Sequence, residues 1–277
     1  SQRLFFDGGT GTLLQAQGLK GGELPETWNL LHPDRISAVH QAYLKAGSNI
    51  LCTNTFGANA LKFPAGGQFD LEELVTAGVR LACEARDADP RPDVFVALDM
   101  GPTGKLLKPM GDLDFEDAVS LYAQVVQAGA AAGADLVLIE TMSDSYEAKA
   151  AVLAAKENCD LPVVVTTVYG ENGKLLTGGT PASTVALLEG LGVDALGVNC
   201  GLGPAQMLPI VKQLVEYASV PLIVNPNAGL PHACDGCTVF DVGPAEFAVH
   251  MGAIADLGVQ VLGGCCGTTP DHIKAAV

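Results

Sequence analysis

Basic residues are scarce in this sequence: 15 lysines and arginines stand against 31 aspartates and glutamates, for a formal net charge of -16 at pH 7. Such a chain repels a polyanionic backbone, which excludes nucleic acid as a partner. Long hydrophobic runs are also absent. No apolar stretch reaches the ~20 residues that a membrane-spanning helix requires, and Ser1-Gln2-Arg3-Leu4-Phe5-Phe6-Asp7 lacks the apolar region and cleavage site of a secretory signal. The expectation is a cytoplasmic protein with no membrane partner. A Pro/Ser-rich linker, a low-complexity segment and a break in composition are missing too, which argues for one domain over residues 1–277.

What is present is apolar and small. Hydrophobic residues make up 48% of the chain, enough for a sizeable core. Eight short apolar runs, Leu4–Phe6, Asn49–Thr53, Val94–Leu98, Asp135–Ile139, Val163–Thr166, Ala195–Val198, Leu222–Val224 and Val259–Leu262, read as strands. Helical patterns separate them, as in Phe115, Ala118, Val119, Tyr122, Val125 and Val126. Pro33, Pro204 and Pro244 suit first helical positions, and Gly47, Gly133, Gly192 and Gly258 suit helix ends just before strands. Continuous apolar strands alternating with helices imply a parallel sheet covered on both faces. Eight units favour closure into a single (β/α)8 barrel, with an open doubly wound sheet as the alternative.

A barrel carries its active site at the C-terminal ends of its strands. Those ends hold Asp7, Thr53, Asn54, Asp99, Glu140, Thr141, Thr166, Asn199, Cys200, Asn225, Asn227, Cys265 and Cys266. Cys200 ends the sixth run and Cys265-Cys266 the eighth, and neighbouring strands lie about 5 Å apart. The three thiolates are therefore within reach of one zinc ion, leaving it a fourth, open position, as in catalytic sites. Among the eight cysteines of a chain in a reducing compartment, a metal role explains this clustering better than disulfides do. The alternative is that small cysteines pack behind glycine-rich turns. Coordination deprotonates a substrate thiol while leaving its sulfur nucleophilic, so such a site suits attack by that sulfur on a methyl group.

Asn227 follows the seventh run; its carboxamide oxygen either fills the open zinc position until substrate arrives or braces the loop. Asp7 and Glu140, on the first and fourth runs, are either a general acid and base or the binding groups for a substrate ammonium. Gly8-Gly9-Thr10-Gly11 offers backbone N–H groups to a substrate carboxylate, and no Walker lysine follows it to make a phosphate loop. Cys234-Asp235-Gly236-Cys237 reads as a loop, with redox or accessory metal binding as the alternative. Cys52, Cys83 and Cys159 read as small buried residues, His40 and His250 as packed or surface side chains, and Trp28 as a cap on the site or an anchor for the first loop.

Asp7-Gly8-Gly9-Thr10-Gly11, Thr53-Asn54-Thr55-Phe56-Gly57-Ala58-Asn59, Gly101-Pro102-Thr103-Gly104, Gly197-Val198-Asn199-Cys200 and Gly263-Gly264-Cys265-Cys266-Gly267-Thr268-Thr269-Pro270 resemble the homocysteine S-methyltransferase family. Along its whole length the chain is most similar to the homocysteine-binding barrel of cobalamin-dependent methionine synthase. The resemblance implies a zinc barrel that activates homocysteine for methylation to methionine. It implies Cys200, Cys265 and Cys266 as zinc ligands, Asp7 and Glu140 as holders of the substrate amino group, and Thr53 with the Gly8 backbone on the carboxylate side. Where betaine-using relatives carry a tyrosine after the Glu140 position, this chain has Thr141. The expected donor is methylcobalamin on a separate cobalamin-binding domain or corrinoid protein, since nothing after Val277 binds folate or cobalamin. Two further readings stand beside this one: a stand-alone methyltransferase using S-methylmethionine, S-adenosylmethionine or betaine, and a thiol- or zinc-binding protein without turnover.

Overall fold

All eight apolar runs form strands in the computed structural model, which describes residues 3–234 and 237–277. The strands are β1 (Leu4–Phe5), β2 (Ile50–Cys52), β3 (Phe95–Met100), β4 (Leu136–Met142), β5 (Val163–Thr167), β6 (Ala195–Asn199), β7 (Leu222–Asn225) and β10 (Val261–Leu262); β8 (His232–Cys234) and β9 (Cys237–Val239) lie apart from them. The eight pair in parallel in the order β1-β10-β7-β6-β5-β4-β3-β2. Asp7 N donates to Ile50 O at 3.0 Å and Asn49 N to Phe5 O at 2.7 Å, so the two outermost strands meet and the sheet closes. A closed parallel barrel leaves no open edge, which disposes of the doubly wound alternative.

Alternation along each strand explains how the barrel fills. Phe6, just past β1, and one residue from each of the other seven strands, Ile50, Ala97, Leu138, Val164, Ala195, Ile223 and Val261, join a single buried cluster inside the barrel, with Phe6 bridged to Ile50 at the start of β2. Outward-facing residues such as Val96, Leu98, Val137, Ile139, Val165 and Leu196 pack against the helices. This interior plug forces any ligand to the rim, beside the residues that follow the strands.

The helices are α1 (Thr10–Ala16), α2 (Trp28–Leu31), α3 (Pro33–Ala46), α4 (Leu71–Ala88), α5 (Phe115–Ala132), α6 (Ser145–Asn158), α7 (Pro181–Gly190), α8 (Pro204–Tyr217), α9 (Pro244–Asp256) and α10 (Pro270–Ala276). Pro33, Pro204 and Pro244 open helices as expected, and left-handed Gly47 and Gly133 end α3 and α5 with φ of 109° and 104°. Among the described residues, no helix is long and apolar enough to cross a membrane.

The expected loop at Cys234-Asp235-Gly236-Cys237 is corrected on either side of its centre. The flanking backbone forms an antiparallel pair, with His232 opposite Val239 and Cys234 opposite Cys237. Asp-Gly between strand-forming residues is a strong hairpin signal. Asp235 and Gly236 themselves lie outside the described residues. Cys52, Cys83 and Cys159 are half-buried rather than buried, because each sits at the edge of its packing layer.

Candidate active site

Cys200, Cys265 and Cys266 converge at the C-terminal rim, with their sulfurs all within 4.8 Å of one another. Cys200 Sγ and Cys266 Sγ are 3.9 Å apart. Two thiolates on a tetrahedral zinc with bonds of about 2.3 Å would stand about 3.8 Å apart, so the set fits that ion. Hydrogen bonds from the Cys265 and Cys266 thiols pull the Cys200 thiol down to about 3, while the same bonds push Cys265 well up and Cys266 to about 12.

Local backbone geometry delivers these sulfurs. Cys200 has φ of 57°, an uncommon conformation for a non-glycine residue, and it turns the chain sharply at the end of β6. Its N–H donates to Asn225 O at 3.1 Å. In the last loop, Cys265 N donates to Pro226 O at 2.9 Å and Ala228 N to Cys266 O at 3.0 Å, so the loop after β7 grips both neighbours. Gly267, with φ of 79°, turns the chain back so that Thr268 Oγ1 reaches Cys265 O at 2.6 Å. The Asn227 carboxamide, the weakest of the influences that lower the Cys200 thiol, has its Oδ1 buried without a partner.

Across the barrel the wall is acidic. A cavity of about 320 Å³ is lined by Asp7, Glu26, Asp99 and Glu140 on one side and by Cys200, Cys265 and Cys266 on the other. Burial pushes the Asp7 carboxyl up to about 7, although its Oδ2 accepts from Cys52 N at 2.8 Å. Glu140 rises to about 8, first through removal from water and then through the charges of Asp7 and Cys200. A register shift between Ile139 and Met142 places a bulge at Glu140-Thr141, and Thr141 has φ of 60°. A β-branched residue in that conformation is a genuine outlier, and the bulge re-aims the strand end toward the cavity.

Asn199 ties the two walls together. Its Oδ1 accepts from Thr141 N at 3.0 Å and from Thr166 Oγ1 at 2.9 Å. Its Nδ2 donates to Thr141 Oγ1 at 2.8 Å and also faces Glu140 Oε2 at 3.3 Å and Cys265 Sγ at 3.9 Å. One buried side chain thus supports the strained residue beside Glu140 and contacts a sulfur of the thiol cluster.

Gly8 lines the cavity, and a Cβ there would lie 2.6 Å from Thr268 Oγ1 and 2.9 Å from the Tyr43 hydroxyl, so only glycine lets the backbone come this close. Thr53 also lines the cavity, but its hydroxyl is spent: it pairs with Thr55 Oγ1 at 2.7 Å and accepts from Asp99 N at 3.0 Å. Its N–H is spent on Ala97 O at 3.0 Å. Without a ligand, both donors of Thr53 are thus engaged within the protein. Trp28 is an anchor and not a cap: it is buried, lies under the Arg35 guanidinium at 4.9 Å and does not line the cavity. His40 is packed, while His250 faces Glu246 at 3.7 Å on α9. Glu26 and Cys52 also line the cavity: Glu26, in a short turn of helix at Pro25–Thr27, has no distinctive sequence pattern, and Cys52, the last residue of β2, reads from sequence only as a small packed residue.

Comparison with known proteins agrees with this geometry. The sequence model of the homocysteine S-methyltransferase family matches residues 4–277. The chain is 34% identical to methionine synthases of Mycobacterium leprae and Mycobacterium tuberculosis, over 97% and 99% of its own length. It spans only 23% and 24% of theirs. The metallated form of the homocysteine methyltransferase MmuM from Escherichia coli superposes with a TM-score of 0.85 at 26% identity, covering 100% of this chain and 96% of that one. The carboxyl transferase domain of Rhizobium etli pyruvate carboxylase, 15% identical with a TM-score of 0.56, shares the fold alone. With the family matched from the first strand to the last helix, the chain belongs to the homocysteine S-methyltransferases.

Proposed function

We propose that this barrel is the substrate-activating module of a zinc-dependent methionine synthase, in which homocysteine is methylated by methylcobalamin carried on a separate domain or corrinoid protein. The observation that carries the reading is the trio of Cys200, Cys265 and Cys266, whose spacing suits one zinc ion. When bound, zinc would keep a substrate thiol deprotonated at neutral pH without quenching its nucleophilicity, because three thiolates leave the ion a mild Lewis acid.

The chain's own residues do the rest. Asp7 and Glu140 receive the substrate ammonium on the wall opposite the sulfurs, which aligns the aminothiol across the cavity. The Gly8 backbone, brought close by the absence of a side chain, faces the substrate carboxylate. Asn227 steadies the Cys200 thiolate, which favours a supporting role over occupation of the fourth metal position. The substrate sulfur attacks the methyl carbon and forms the S–C bond, while the donor departs with the electron pair of the bond that breaks. No proton moves in that step, so the acidic wall serves binding and not acid–base catalysis.

The donor is identified by incubating the zinc-loaded chain with homocysteine and, in turn, methylcobalamin, S-methylmethionine, S-adenosylmethionine and betaine. Methionine formation with methylcobalamin is the expected result. Turnover with only a small donor would make the chain a stand-alone enzyme, a reading favoured by its near-complete overlap with MmuM. Zinc and homocysteine binding without turnover from any donor would make it a binding protein.

A further inference from the structure

Asp99, at the C-terminal end of β3, is 6% exposed and lines the same cavity as Asp7 and Glu140. Its main chain is clamped on both sides, with its N–H on Thr53 Oγ1 at 3.0 Å and its carbonyl accepting from Thr55 Oγ1 at 2.7 Å. Glu140 is the acidic group that acts on it most strongly, and its Oδ1 is buried with no partner. The charges that act on it come from Glu140, Asp7 and Glu26, all of them acidic. A buried carboxylate oxygen left without a donor is costly, and acidic groups crowded together out of water disfavour one another's charge. Both conditions are relieved by a ligand group that brings positive charge and several N–H donors together.

A primary ammonium is such a group, with three N–H bonds to place. The cavity offers three carboxylates around one side, on β3, at the β4 bulge and just after β1. We propose that Asp99 is the third member of the ammonium subsite, taking one substrate N–H on its unpartnered Oδ1, and that Thr53 is the positioning residue that holds Asp99 in place. The proposal rests on the reading of homocysteine as substrate. It makes the site selective for the primary amine of an aminothiol, since a thiol without that amine leaves the three acids crowded and unsatisfied. It also gives the hydroxyl of Thr53 a use that direct contact with substrate does not.

The test compares homocysteine with 4-mercaptobutanoate, the same thiol acid without the amine, by calorimetric titration of the zinc-loaded chain. Asp99→Asn, which is nearly isosteric, is expected to weaken homocysteine about tenfold, the difference between a charge-assisted and a neutral hydrogen bond. Binding of 4-mercaptobutanoate should change by less than about twofold, and zinc content should not change. Thr53→Val should give the same amine-dependent loss, smaller in size. Equal weakening of both ligands, or unchanged binding of homocysteine in Asp99→Asn, would overturn the assignment while leaving the functional reading intact. Failure of the wild-type chain to bind homocysteine at all would overturn both.

Discussion

On the β6 and β10 side of the cavity, three sulfurs already lie within 4.8 Å of one another, and main-chain bonds from the β7 loop fix the two segments that carry them. On the β1, β3 and β4 side, three carboxyl groups face the same space with an orphaned oxygen among them and carboxyl affinities for protons raised by burial. The sulfur wall is organised before any ligand arrives; the acidic wall is satisfied only by one. That difference fits a division of labour in which one wall supplies a permanent metal seat and the other selects the substrate that is delivered to it.

The comparison breaks most severely at the sulfurs. Cys200→Ala, Cys265→Ala and Cys266→Ala are each expected to lose bound zinc, measured by elemental analysis, and to lower methyl transfer by more than about a thousandfold, since each removes a ligand and not an outer support. Glu140→Gln should act on the other wall alone. It is expected to weaken homocysteine by about tenfold to a hundredfold with zinc content unchanged. Loss of metal in that variant would place Glu140 in the metal site. Asn199→Ala should be felt on both walls, because its Nδ2 faces Glu140 and Cys265 together. A loss of about tenfold in zinc affinity, with a similar loss for homocysteine, is the expected outcome; an effect on only one of the two would show that the link is structural.

Much of this arrangement was legible before any coordinates. Apolar runs such as Val163–Thr166 announce strands because a buried parallel strand has little polar content, and Gly47 and Gly133 mark helix ends because left-handed φ favours glycine. The thiol trio was legible because cysteines adjoining glycine turns at two strand ends point to one rim. Other features had no sequence signal. Cys200 and Thr141 adopt left-handed conformations without being glycine, and their neighbours impose that strain. The bulge at Glu140 depends on how β4 meets β5, a property of the pair and of neither strand. The resemblance puts Thr53 on the carboxylate side, and only the packing shows its hydroxyl paired with Asp99 N and Thr55 Oγ1. The hairpin of β8 and β9 does carry an Asp-Gly signal, but its strands, three residues each, are too short to show an alternating pattern.

The most direct test is X-ray absorption at the zinc edge of the loaded chain, before and after homocysteine is added. The sulfur count around zinc is expected to rise from three to four as the substrate thiol enters the open position. An unchanged count of three with homocysteine demonstrably bound would contradict the central claim that Cys200, Cys265 and Cys266 build a seat for the substrate sulfur.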